Sequence, residues 1–71
     1  MVGTVLQSIR HQRNMTQEEL ASKAKVDRTY VSLLEHNKKS PTVDMLFRLC
    51  RALGVRPSVV IARTEKAQST K

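Results

Sequence analysis

Apolar residues recur at three- and four-residue steps from the start of the chain. Val2, Val5, Leu6 and Ile9 make one stripe, which predicts a helix from about residue 2 to residue 12. Asn14 follows, a residue that tolerates the left-handed conformation a helix end requires. Thr16 and Glu19 then form a capping box: the Thr16 hydroxyl accepts from the Glu19 amide, and the Glu19 carboxylate accepts from the Thr16 amide. A second helix is expected from Gln17, with Leu20, Ala21 and Ala24 on its buried side and Ala21 small enough for another helix to cross closely.

Lys25 and Val26 lead to Asp27, whose side chain is suited to accept from the amides of a third helix running from Arg28 to about His36. At 100° per residue Val31 and Leu34 share one face of that helix, while Arg28, Thr29, Ser32 and Leu33 spread over the other. Two helix starts eleven residues apart, one packed face and one presented face describe a helix-turn-helix. The polar segment from His36 to Thr42, with Asn37, Ser40 and Pro41, breaks the pattern, and Thr42 caps a fourth helix over Val43 to Leu53. Its buried side is expected to carry Val43, Leu46, Phe47, Cys50 and Leu53, with Met45, Leu49 and Ala52 on the flanks. Gly54 stops it, and Pro57 starts a short fifth helix that ends near Ala62 or Arg63. The expected fold is an all-α, compact five-helix bundle without strands. Residues 1–63 form its domain and residues 64–71 a flexible tail lacking a large apolar anchor.

Composition narrows the partner. The 71 residues carry thirteen Lys and Arg against six Asp and Glu, a formal charge of +7. The excess lies in both halves, seven basic against four acidic in residues 1–40 and six against two in residues 41–71, so it implies a folded basic surface rather than a charged tail. Tyr30 and Phe47 are too few aromatics for a base-stacking platform, which favours double-stranded DNA over single strands. The single cysteine, Cys50, excludes an intrachain disulfide and fits a reduced, cytoplasmic setting. His11 and His36 are isolated and lack metal-ligand spacing, and no nucleophile has an oriented base beside it. No metal, cofactor, small-molecule ligand, membrane partner or enzymatic activity is expected. Lys23, Lys25, Arg48, Arg51 and Arg63 are assigned to solvated helix surface.

The run Thr16-Gln17-Glu18-Glu19-Leu20-Ala21, with Val26, Val31-Ser32-Leu33-Leu34-Glu35, Asn37, Pro41-Thr42 and Leu49 to Val55, resembles the phage-repressor and Cro class of helix-turn-helix domains, also called the xenobiotic-response-element family. Asp27 to Ser32 is also similar to the recognition helix of controller proteins from restriction-modification systems. The resemblance implies a λ-repressor-like fold and a transcriptional regulator whose third helix enters the major groove. It assigns base reading to Arg28, Thr29, Ser32 and Leu33, and phosphate contacts to Gln17, Tyr30, His36, Asn37, Lys38 and Lys39. Gln17 is further expected to brace the recognition helix, and Arg10 and Glu35 to form an ion pair between the first and third helices. A helix this short covers few base pairs, so a homodimer on a (pseudo)palindromic operator is expected; of Val55, Val59, Val60 and Ile61, some complete the core and the remainder, with residues near Met45 or Leu49, form its surface. Asn37 stands where relatives place Gly, which the turn tolerates, and Arg56 stands where relatives place a capping Ser or Asp. The competing class is an antitoxin or adaptor that keeps the scaffold for protein contacts.

Overall fold

The computed structural model describes residues 2–68. Among them the elements are all helical: α1 Val2–Gln12, α2 Gln17–Ala24, α3 Arg28–Glu35, α4 Val43–Leu53 and α5 Pro57–Gln68. α2 packs on α3 and α4, and α1 packs on α3 and α5, so α3 is held from behind by two helices.

The local signals act as expected at most ends. The Thr16 hydroxyl accepts from the Glu19 amide at 3.0 Å and Glu19 Oε1 accepts from the Thr16 amide at 2.8 Å, completing the capping box. Thr42 caps α4 by accepting from the Met45 amide at 3.1 Å. Gly54, at φ 73°, closes α4, and Asn14 and Asn37 sit at φ 56° and 57°. Asp27 departs from expectation. It has the extended backbone of an N-cap, but its side chain makes no capping bond to α3.

Leu6, Leu20, Leu34, Leu49, Val31, Val60 and Cys50 are the most completely buried side chains. Each fully buried Leu or Val contributes about 1.5–3 kcal/mol over its exposed state. α4 presents a different face to this core from the one its pattern suggested. Leu46, Leu49, Cys50 and Leu53 are buried, whereas Val43 is 71% and Phe47 49% exposed. The apolar residues encircle α4, so the stripe through Val43 and Phe47 competes with the stripe through Leu49. Packing into the core shared with α2 and α5 selects the latter.

α5 does not stop at Ala62 or Arg63. It runs to Gln68, because Glu65, Lys66, Ala67 and Gln68 are good helix formers with no Gly or Pro to end the helix. The half-buried Thr64 also donates its hydroxyl to the Val60 carbonyl at 2.8 Å. The tail expected from Thr64 is therefore helical as far as Gln68, and residues 69–71 lie outside the described residues.

Gly3 is a contact unforeseen in the pattern. A Cβ on this buried residue would collide with the Leu34 carbonyl and crowd Asn37 Oδ1, so glycine sets how closely α1 crosses the end of α3.

Candidate nucleic-acid interface

α3 has two unlike sides. Val31 and Leu34 are each 1% exposed in the core. Arg28 and Thr29, in the first turn, are exposed, and Ser32 and Leu33 are half-buried on the same outward side. All four residues expected to read bases are thus on one accessible surface, with Arg28 and Thr29 reaching furthest into solvent.

What holds this helix is an ion pair at its far end. Arg10 Nε donates to Glu35 Oε2 at 2.7 Å and Nη2 to Glu35 Oε1 at 3.0 Å, a two-point match of guanidinium and carboxylate. The side chains are 8% and 1% exposed, so water cannot replace either partner. The remaining hydrogen-bonding capacity is used as well. Arg10 Nη1 donates to the Met15 carbonyl at 2.7 Å, Nη2 to His11 Nε2 at 3.2 Å, and Gln17 Nε2 to Glu35 Oε1 at 3.0 Å. Among the described residues no buried side-chain nitrogen or oxygen lacks a partner. One carboxylate thereby ties α1, α2 and α3 together, and Gln17 braces α3 from the first position of α2. Gln17 is half-buried at a helix N-terminus, where free backbone amides favour an anion.

The other expected phosphate ligands differ in what they already hold. Lys38 and Lys39 are exposed after α3, and Lys39 Nζ lies 5.8 Å from the centroid of the half-buried Tyr30 ring. His36 Nδ1 donates to the Ser32 carbonyl at 2.8 Å, leaving Nε2 for a second partner. Asn37 is engaged within the fold, since its side-chain amide donates to Thr4 Oγ1 at 3.2 Å and its backbone amide to the Leu34 carbonyl at 3.0 Å. Asn37 therefore locks the end of α3 against α1.

Two arginines missed in the sequence also act on helix ends. Arg48 Nη2 donates to the carbonyls of Ala24 and Lys25 at 2.8 and 2.9 Å, closing the end of α2 rather than extending freely into solvent. Arg13 Nη2 donates to the Gly54 carbonyl at 3.3 Å. No local pattern marks either residue, because each meets a carbonyl distant in sequence. Of the four residues divided between the core and a dimer surface, Val60 is the one that completes the core, fully buried. Ile61 and Val59 are 52% and 37% exposed, and Val55 is half-buried against the core.

A helix-turn-helix family model matches residues 6–60, more than half of the chain and all of α2 and α3. The chain belongs to the helix-turn-helix family.

This helix-turn-helix protein is 32% identical over 66 residues to the uncharacterized HTH-type transcriptional regulator y4dJ of Sinorhizobium fredii, covering 93% of the chain and 86% of the relative. Its fold matches the clp gene regulator ClgR of Corynebacterium glutamicum with a TM-score of 0.93 and 28% identity, covering 99% of the chain and 91% of ClgR. It also matches the restriction-modification controller protein C.Esp1396I, solved as a tetramer with its natural 35 base-pair operator, with a TM-score of 0.83 and 37% identity over 92% of the chain and 86% of the controller. The chain spans 42–54% of the length of four other curated relatives. The helix-turn-helix protein thus resembles Cro/C1-type controller proteins, and regulators of this family are non-catalytic DNA-binding proteins. Among the described residues no helix is long and apolar enough to cross a membrane.

Proposed function

We propose that this protein regulates transcription by inserting α3 into the major groove of double-stranded DNA. Arg28 donates to a guanine edge, Thr29 and Ser32 hydrogen-bond to neighbouring bases, and Leu33 makes apolar contact with a thymine methyl. Gln17, His36, Lys38 and Lys39 contact phosphates on either side, and Tyr30 lines the flank. Asn37 contributes mainly by fixing the loop that carries the two lysines. The observation that carries this reading is the contrast within α3: a polar outward face on a helix fixed from behind by the Arg10–Glu35 pair. A DNA reader needs both, since an unfixed helix would lose the alignment that base contacts demand.

The active unit is a homodimer on a (pseudo)palindromic operator. Val59 and Ile61 on α5, beside Val55, supply apolar surface outside the core, and Val43 and Phe47 add a second exposed apolar pair on α4. Two-fold pairing would set the two α3 helices about 34 Å apart, one turn of duplex. The resemblance to controller proteins supports genes of a restriction-modification system as the regulated target. Duplexes selected from a random pool, titrated over a range of salt, test the proposal. It requires one enriched sequence with two-fold symmetry and affinity that falls linearly in log–log form, by about 0.9 per neutralised phosphate. Salt-insensitive binding, or no enrichment, would reject it.

A further inference from the structure

The geometry points to Arg48, on α4, as a positioning residue for DNA reading. It acts by fixing the turn from which α3 emerges, and it rests on the proposal that α3 reads bases. Four observations converge on this role.

The first is the turn itself. Lys25 closes α2 at φ 59° and ψ 48°, a left-handed conformation that costs energy for a residue with a Cβ. It persists only where the surroundings hold it. The second is the fate of the terminal carbonyls. The Lys25 amide bonds to the carbonyls of Ala21 and Ser22, and the Val26 amide reaches Ala21 at 2.9 Å. The last carbonyls before the turn, those of Ala24 and Lys25, are both taken by Arg48 Nη2. A guanidinium at the C-terminal end of a helix also faces the negative end of its dipole, which strengthens both bonds.

The third observation is what the turn lacks. Asp27 makes no side-chain bond to the first turn of α3, so that side of the joint has no capping lock. Arg48 is a tie from a different helix, and α4 is itself packed on α2. The fourth is proximity along the chain. Arg28 and Thr29 follow Lys25 by three and four residues, so a change in the Lys25 dihedrals reorients the readers first. The buried Glu35 anchor fixes the opposite end of α3, so the first turn depends more on the tie at Lys25.

Lys23, Lys25 and Arg51 line an open groove with Arg48, and a loss of DNA affinity on removing Arg48 could therefore reflect charge alone. Arg48→Lys separates the two effects, because it keeps the charge while its shorter side chain draws the nitrogen back from the position that Nη2 holds between the two carbonyls. The variant and the parent are titrated at low temperature, where circular dichroism shows both folded, with the best duplex selected from a random pool and with a scrambled duplex. Amide exchange of Tyr30 and Val31, which donate to the Asp27 carbonyl at 3.0 and 3.2 Å, is recorded without DNA. The expected result is near-parental binding to scrambled DNA, about a tenfold fall in the selected-to-scrambled ratio, as for the loss of one well-aligned base contact, and faster exchange in the first turn of α3. An unchanged ratio with unchanged exchange, even if the melting temperature drops, would overturn the positioning role. If the parent itself fails to discriminate, base reading by α3 is lost, and exchange in the first turn still decides whether Arg48 orders it.

Discussion

Replacing Arg10 or Glu35 singly should remove a large share of the protein's stability, whereas replacing both with apolar residues should restore much of the loss. In Glu35→Leu the Arg10 guanidinium loses two bonds, at 2.7 and 3.0 Å, inside a site that leaves its side chain 8% exposed. In Arg10→Met the Glu35 carboxylate, 1% exposed, retains only the Gln17 amide. Stranding one buried charge costs about 3–5 kcal/mol. A domain of this size has a total stability of roughly 4–11 kcal/mol, so either variant removes a large share of it. The double variant strands neither charge, and apolar replacements of a buried pair are often neutral or stabilising by about 1–4 kcal/mol. The two bonds that Arg10 makes to Met15 and His11 are then also gone, which limits the recovery. The expected coupling is about 3 kcal/mol or more, read from urea unfolding of the four proteins by far-ultraviolet circular dichroism. Coupling below about 0.5 kcal/mol, the range of independent sites, would show that the pair does not fix α3.

Gly3→Ala places a methyl group against the Leu34 carbonyl and should cost about 1–3 kcal/mol or more, measurable as a lower melting temperature, despite the better helix propensity of alanine. Arg28→Ala should lose about 1–3 kcal/mol on the selected operator and relax preference at one base, while Lys38→Ala should weaken all duplexes alike and reduce the salt slope by about one. Competition binding against single-base variants checks both. Burial pushes the Cys50 thiol above its ordinary range, so in the folded protein the neutral form is favoured. Stability from this group is present below the unfolded thiol pKa and falls as pH rises through the folded value. Labelling by a thiol reagent should therefore track unfolding, and rapid labelling of the native protein at neutral pH would refute the burial of Cys50.

Much of this fold is written locally. Thr16 with Glu19, Thr42, Gly54 and Pro57 act within a few residues of their own helix ends, and they mark the starts of α2, α4 and α5 and the stop of α4. The outward face of α3 is readable for the same reason, since Val31 and Leu34 define its inside. The remainder depends on partners distant in sequence. The pattern puts Phe47 inside α4 and Leu49 on its flank, and packing in the shared core reverses the two. Val60 belongs to the core and Ile61 does not, a difference of one position set by the approach of α5. Gly3 shows its purpose only against Leu34, and Arg48 only against Ala24 and Lys25. The site is consequently clearer in its reading residues than in the groups that hold them in place.

Methylation interference on the selected operator tests the placement of α3 most directly, because guanine N7 lies in the major groove and adenine N3 in the minor. Guanine methylation should block binding in two half-sites about one helical turn apart, and Arg28→Ala should abolish the effect at one symmetric guanine pair. Interference confined to adenine N3, or a guanine pattern unaltered by Arg28→Ala, would contradict the assignment of α3 as the reading helix.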